Sequence, residues 1–132
     1  MNTLVGTGVA LVTPFKNDLS VDHDALSNIV KYNIDNGTNY LVISGTTGES
    51  VTISKQEKQE IILTIKKTNA GRLPLVLGIG GNNTAKVIDE INNTNLSDLP
   101  QYSQWHLIIA SQPKKVFTSI LKLFLRLVQF QL

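Results

Sequence analysis

The six residues 45–50, Gly-Thr-Thr-Gly-Glu-Ser, form the segment best suited to chemistry in this chain of 132 residues. The glycines allow the backbone to turn tightly and to approach a ligand closely. The adjacent hydroxyl groups of Thr46 and Thr47, together with exposed backbone N–H groups, could bind a small carboxylate and pass protons. A plain Gly/Thr turn has the same composition, so this segment alone leaves both interpretations open.

A second glycine-rich segment covers residues 78–84, Gly-Ile-Gly-Gly-Asn-Asn-Thr. It is either a loop that lets a substrate approach or a flexible turn whose Asn and Thr residues cap a helix. The composition does not decide between the two.

Three apolar runs predict the strands that position these segments, at residues 8–12, 40–43 and 75–77. Each glycine-rich segment begins directly after one of these runs. The strands are apolar throughout, which is typical of a parallel sheet covered on both faces.

A helix is predicted after each strand. The first has acidic residues at its start, beginning with Asp22, and stops at Asn36 and Gly37. The second begins with Ser54 and Glu57 as a capping box and ends before residue 71, and the third opens at residue 84.

Strand and helix therefore alternate three times at intervals of about thirty residues, which predicts an α/β fold of βαβ units. A doubly wound sheet and a (β/α)₈ barrel both fit this pattern. The Gly-x-Gly-x-x-Gly of dinucleotide-binding folds does not follow the first strand, so we favour the barrel. Residues 45–50 would then lie at the end of the barrel where active sites are built.

Composition excludes several classes of function. The net charge of +2 and the absence of aromatic residues interleaved with basic ones argue against a nucleic-acid binder. There is no cysteine, and His23 and His106 lie too far apart to indicate a metal site, so we expect no metal and no cofactor. No signal peptide and no apolar run of about 18 residues is present, and a cytoplasmic protein is expected.

The charge balance changes near residue 98. Residues 1–98 contain eight basic and ten acidic side chains, whereas residues 99–132 contain four basic and no acidic ones. We therefore divide the chain into a barrel segment, 1–98, and an apolar basic tail, 99–132.

Three segments of the first part, residues 6–15, 45–50 and 78–82, closely resemble in order and spacing the N-terminal third of the dihydrodipicolinate synthase family. This family is a branch of the N-acetylneuraminate lyase and class I aldolase group. Sister enzymes typically have Ser-Thr where this chain has Thr46 and Thr47, so the double threonine favours the synthase. Another pyruvate-dependent aldolase of the same group is the alternative.

The resemblance implies a TIM (β/α)₈ barrel, a homotetramer, and a lyase activity in diaminopimelate and lysine biosynthesis. In this family a lysine forms a Schiff base with pyruvate, and the resulting enamine attacks aspartate semialdehyde. By the same resemblance, Thr46 is the hydroxyl of the proton relay and Thr47 binds the pyruvate carboxylate. Gly45, Gly48 and Glu49 support them.

The resemblance also extends to the family's lysine-feedback site, because Ser50 and Asn82 match it. Lys55, Lys58 and Lys86 stand where feedback-sensitive members often have His, His and Glu. These three differences argue against inhibition by lysine.

A complete barrel needs about 250 residues, so the resemblance implies a partial barrel of about three βα units. The Schiff-base lysine belongs to a later segment of the family and is absent here. We expect a truncated chain that is inactive alone.

A shift of the reading frame would turn the tail into the family's next segment. Synonymous codons for residues 106–118, read from the third base of the first codon, can encode Pro-Tyr-Tyr-Ser-Lys-Pro-Thr-Gln-Glu-Gly-Ile-Tyr. This peptide resembles the family's segment after its fourth strand, including a relay tyrosine. We expect a frameshift near residues 96–100.

An alternative interpretation of the tail is a basic amphipathic helix over residues 116–130, with Lys122 and Arg126 one turn apart. The chain would then be a non-catalytic fragment that associates with a membrane surface or a partner. Because its charges are few and its apolar residues occupy most of the circumference, we rank this second.

Overall fold

Four parallel strands form one sheet in the computed structural model, which describes residues 4–81, 83–93 and 105–110. The strands are adjacent in chain order: β1 (Gly8–Ala10), β2 (Tyr40–Ile43), β3 (Leu75–Gly80) and β4 (Trp105–Ala110). Three helices connect them: α1 (His23–Asp35), α2 (Lys55–Asn69) and α3 (Thr84–Asn93). The predicted alternation of strand and helix is confirmed.

The predicted helix starts are also confirmed. Asp22 caps α1, because its carboxylate accepts a hydrogen bond of 2.9 Å from the Ala25 N–H. Ser54 and Glu57 form the capping box at the start of α2, with both reciprocal hydrogen bonds present. These local bonds satisfy N–H groups that would otherwise lack partners in the first turn.

The core lies between the sheet and the helices. Leu41 and Ile43 of β2 pack there with residues of β3 and with the apolar faces of α1 and α2. The buried members include Leu26, Val30, Ile61, Ile65, Leu75 and Leu77.

Coverage of both sheet faces is found for β3 but not for β1. Five of the six β3 residues are buried, whereas Gly8 and Ala10 of β1 are exposed. Among the described strands, β1 lies at the edge of the sheet, whereas β3 lies between β2 and β4. For β1, the expectation from apolar composition was wrong.

Strand β4 was not predicted. It lies within the tail segment and pairs with the whole of β3, in a register that places Val76 beside His106 and Gly80 beside Ala110. The amphipathic helix considered for residues 116–130 lies outside the described residues.

The described residues show neither a membrane-spanning helix nor a metal-binding cluster. None of their helices is long and apolar enough to cross a membrane. They also contain no group of three or more His, Cys, Asp or Glu side chains placed to hold a metal ion.

Candidate functional site

Residues 45–50 form a tight turn directly after β2. Thr46–Gly48 is a short 3-10 helix, closed by hydrogen bonds of 3.1 Å from the Gly48 N–H to the Gly45 carbonyl and from the Glu49 N–H to the Thr46 carbonyl. Ser44 and Glu49 flank it with left-handed backbone conformations, at φ 55° and 54°. Non-glycine residues adopt this conformation only where their surroundings hold them in it. The turn is therefore fixed by contacts with other parts of the fold.

One such contact comes from the chain after β1. The buried hydroxyl of Thr13 donates a hydrogen bond of 2.8 Å to the Gly48 carbonyl. A Cβ at position 48 would lie 3.1 Å from the Leu11 carbonyl oxygen, which is closer than most such contacts. Gly48 is buried, and its lack of a side chain lets the turn pack against residues 11–13.

The second contact comes from β3. A Cβ at Gly78 would lie only 2.7 Å from the Ser44 carbonyl oxygen and 3.2 Å from the Gly45 nitrogen. Only glycine permits this approach without a backbone shift. The turn is therefore held on one side by the residues after β1 and on the other side by β3.

The second glycine-rich segment is placed differently from the expectation. The composition of Gly78–Gly80 predicts a loop or a turn, but these residues are the last three of β3 and pair with β4. Their pairing partners lie in the tail, about thirty residues away, so the local composition gave no sign of a strand. Of the remainder, Gly81 and Asn83 precede α3, and Asn82 lies outside the described residues. The predicted helix cap is confirmed at Asn83, whose side-chain oxygen accepts a hydrogen bond of 3.2 Å from the Lys86 N–H.

Thr46 and Thr47 are exposed and lie just after the carboxyl end of β2. Gly45 and Ser50 are half-buried. Hydroxyl groups at the carboxyl ends of parallel strands are well placed to meet a ligand in barrel folds. The sequence did not reveal Thr13, although it lies within one of the quoted motifs; a polar residue directly after a buried strand is the signal that could have marked it.

The charged interactions nearest to the turn in the chain involve α2. The Ser54 hydroxyl and backbone N–H donate to the Glu57 carboxylate and hold its pKa below the usual value of 4.5. Lys58 forms an ion pair with Glu90 that joins α2 to α3. Lys58, one of the three lysines that depart from the feedback pattern, is thus engaged within the protein, whereas Lys55 and Lys86 are exposed.

Comparison with known families and proteins agrees with this arrangement. The sequence profile of the Dihydrodipicolinate synthetase family matches residues 3–96. The chain belongs to this family. A 4-hydroxy-tetrahydrodipicolinate synthase from Flavobacterium psychrophilum is 60% identical over 97 residues, which cover 74% of this chain and 33% of that relative. One from Cytophaga hutchinsonii is 46% identical over 111 residues, 79% of this chain and 37% of that relative. The chain spans about a third of the length of these curated relatives.

Solved structures of the Dihydrodipicolinate synthetase family share the fold. The dihydrodipicolinate synthase of Acinetobacter baumannii, solved in complex with pyruvate, aligns with a TM-score of 0.74 and 30% identity over 91% of this chain and 43% of that chain. The enzyme from Aquifex aeolicus aligns with a TM-score of 0.68 and 32% identity over 83% of this chain and 37% of that chain. An N-acetylneuraminate lyase from Proteus mirabilis, with 21% identity and a TM-score of 0.67, covers 81% of this chain and 35% of that chain and shares the fold. The four-stranded sheet is a partial (β/α)₈ barrel.

Proposed function

We propose that this chain carries the N-terminal part of a 4-hydroxy-tetrahydrodipicolinate synthase, which condenses pyruvate with aspartate semialdehyde through a lysine Schiff base. The observation that carries the proposal is the 60% identity to a synthase over a segment that contains the turn at residues 45–50. That turn lies at the carboxyl end of β2 with two adjacent hydroxyl groups exposed.

In this proposal Thr46 is the hydroxyl that passes a proton, and Thr47 binds the pyruvate carboxylate. Gly48 supports them because its lack of a side chain lets the turn pack against the residues after β1. Gly45 supports them through its carbonyl, which accepts from the Gly48 N–H and closes the turn. The hydrogen bond from Thr13 to Gly48 supports this view, since it fixes one end of the turn. A proton relay and a carboxylate site both need hydroxyl groups held in a defined geometry.

Residues 99–132 are proposed to be an out-of-frame reading of the family's next segment. The change in charge balance near residue 98 and the Pro-Tyr-Tyr peptide encoded one frame away support this interpretation. The family match, which ends at residue 96, agrees with a break at this position. The chain as translated then lacks the Schiff-base lysine and is inactive alone, whereas the in-frame product is the active, tetrameric enzyme of the cytoplasm.

Ser50 and Asn82 are proposed as remnants of a lysine-binding site that no longer responds to lysine. The ion pair of Lys58 with Glu90 supports this, because it engages a cation at one of the three positions that depart from the feedback pattern. Inhibition of the in-frame enzyme by lysine would contradict it.

The frameshift is tested first, by sequencing the gene from the codon of Gly81 to beyond that of Leu132. A single frame that restores Pro-Tyr-Tyr and a later lysine supports the proposal, and a confirmed frame as written refutes the frameshift. The purified 132-residue chain is then assayed with pyruvate and aspartate semialdehyde. We expect no turnover, and pyruvate-dependent synthase activity would contradict the proposed inactivity.

The roles of the hydroxyl groups are tested in the in-frame enzyme. We expect Thr46→Val to lower kcat by about 100-fold or more, the usual range for loss of a proton-transfer group, whereas Thr46→Ser retains most of the activity. Thr47→Val is expected to raise KM for pyruvate. Preference for an aldehyde other than aspartate semialdehyde would assign the enzyme to a sister aldolase instead.

A further inference from the structure

The C-terminal end of α1 is closed by a hydrogen-bonded glycine motif. Gly37 follows the C-cap residue Asn36 and has a left-handed conformation, at φ 79°. The Thr38 N–H donates to the Asn33 carbonyl at 3.1 Å, and the Gly37 N–H donates to the Ile34 carbonyl at 3.4 Å. These are the two bonds of a Schellman motif, in which glycine takes the left-handed position because it has no Cβ.

The Gly37 nitrogen is held weakly and lies in the open. Its hydrogen bond of 3.4 Å is longer than the usual range of about 2.7–3.2 Å. Asn36 and Gly37 are both exposed, and a Cβ added at Gly37 would meet no described atom within 4 Å. Neither residue belongs to the buried core. The end of α1 can therefore open locally without exposing buried apolar side chains.

The Asn36 side chain supplies a reactive partner for this nitrogen. The Cγ of an asparagine and the nitrogen of the following residue are spaced to close a five-membered ring. Glycine favours this closure, because it has no side chain to obstruct the attack and its backbone adopts many conformations. Asn36 is the one asparagine in the 132-residue sequence that precedes a glycine.

We propose that Asn36 is a site of spontaneous deamidation and that opening of the Schellman motif limits its rate. The Gly37 nitrogen attacks the Asn36 Cγ, and the Cγ–Nδ2 bond breaks as the new N–C bond forms. The proton of the Gly37 N–H leaves with Nδ2 as ammonia. Water then opens the succinimide at either carbonyl carbon, which gives aspartate or isoaspartate at position 36.

Both products weaken the end of α1. The Asn36 amide donates to the Tyr32 carbonyl at 2.7 Å, and a carboxylate in its place cannot donate. The new negative charge also lies at the helix C-terminus, where the helix dipole disfavours it. Isoaspartate in addition brings Cβ into the main chain, which changes the spacing of the Schellman bonds.

This modification is independent of the proposed reaction. The motif precedes β2, whereas the turn at residues 45–50 follows it. We therefore expect deamidation to lower stability without directly altering the hydroxyl groups of Thr46 and Thr47.

Peptide mapping by mass spectrometry tests the site in the purified 132-residue chain after incubation in mildly alkaline buffer. We expect the change in mass from amide to carboxylate first at Asn36, with aspartate and isoaspartate both present. Asn39 is the internal control, because it is also exposed but precedes Tyr40. Asn36→Gln should remove the reaction, since glutamine would have to close a six-membered ring. No change at Asn36, or an equal change at Asn39, would overturn the proposal.

Urea tests the role of the Schellman motif. Because the motif must open before the ring closes, deamidation of Asn36 should be faster in urea than in buffer and should remain at the same residue. Equal rates in urea and in buffer would overturn the role of the motif, and a reaction seen only in urea would overturn the site in the folded chain.

Asn36→Asp supplies one product directly and tests the damage. We expect it to raise the ratio of unfolded to folded chain by about fivefold, the worth of one neutral hydrogen bond. Asn28→Asp is the matched control, since Asn28 is exposed in the middle of the same helix. An equal loss of stability in the two variants would overturn the expected weakening of the end of α1.

Discussion

Replacing Thr13 with valine tests whether the turn at residues 45–50 is held by the hydrogen bond to Gly48. Valine has nearly the shape of threonine, but it cannot donate to the Gly48 carbonyl, which accepts from the Thr13 hydroxyl at 2.8 Å. Both residues are buried, so the carbonyl loses its partner in a site that water does not readily reach.

The expected effect follows from this burial. An unsatisfied buried polar group costs about 1–3 kcal/mol, so we expect Thr13→Val to lower the free energy of unfolding by about 2 kcal/mol. With a urea m-value of about 2 kcal/mol per molar, the midpoint of urea unfolding should fall by about 1 M. Urea titration followed by circular dichroism measures this shift.

Thr13→Ser is the matched control. It keeps the hydroxyl and loses one methyl group, worth about 0.8 kcal/mol, so its midpoint should lie between those of the wild type and of Thr13→Val. If Thr13→Val is as stable as Thr13→Ser, or more stable, then the hydrogen bond to Gly48 does not hold the turn and the reasoning is wrong.

Two further substitutions test the site and its surroundings. Gly78→Ala should lower the free energy of unfolding in the same urea titration by about 1–3 kcal/mol, the usual cost of overpacking, because its Cβ would meet the Ser44 carbonyl at 2.7 Å. Gly45→Ala is the control and should be tolerated, because its Cβ would come no nearer than 3.9 Å to a side chain; an equal loss in the two variants would contradict the reasoning. The pKa of Glu57 is lowered from 4.5 by the hydrogen bonds from Ser54, so its contribution to stability is present above pH 4.5 and is lost as the pH falls through the lowered value. The free energy of unfolding of Glu57→Gln should therefore fall less than that of the wild type as the pH drops below 4.5. Equal losses in the two proteins would contradict this.

Several features of the fold could be predicted from the sequence because they depend on neighbouring residues. The capping residues Asp22 and Ser54 bond to N–H groups three residues away, and such bonds can be read from local spacing. The apolar runs of β2 and β3 were found for the same reason. The position of residues 45–50 at the carboxyl end of β2 followed from chain order alone.

Other features could not be predicted, because they depend on residues far apart in the chain. Gly78–Gly80 has the composition of a loop, but it pairs with β4, which lies in the tail that we interpreted as out of frame. The exposure of Ala10 depends on its edge position, which apolar composition does not report.

The amino-acid sequence alone predicts the order of the first three strands and helices, the helix starts, the family and the two adjacent hydroxyl groups after β2. The contacts that hold the turn at residues 45–50 appear only once the chain has folded. The Thr13 hydroxyl reaches the Gly48 carbonyl across 35 positions of the chain, and Gly78 approaches Ser44 from a neighbouring strand. Local propensities act over a few residues, whereas these contacts exist only once the parallel strands have brought their carboxyl ends together.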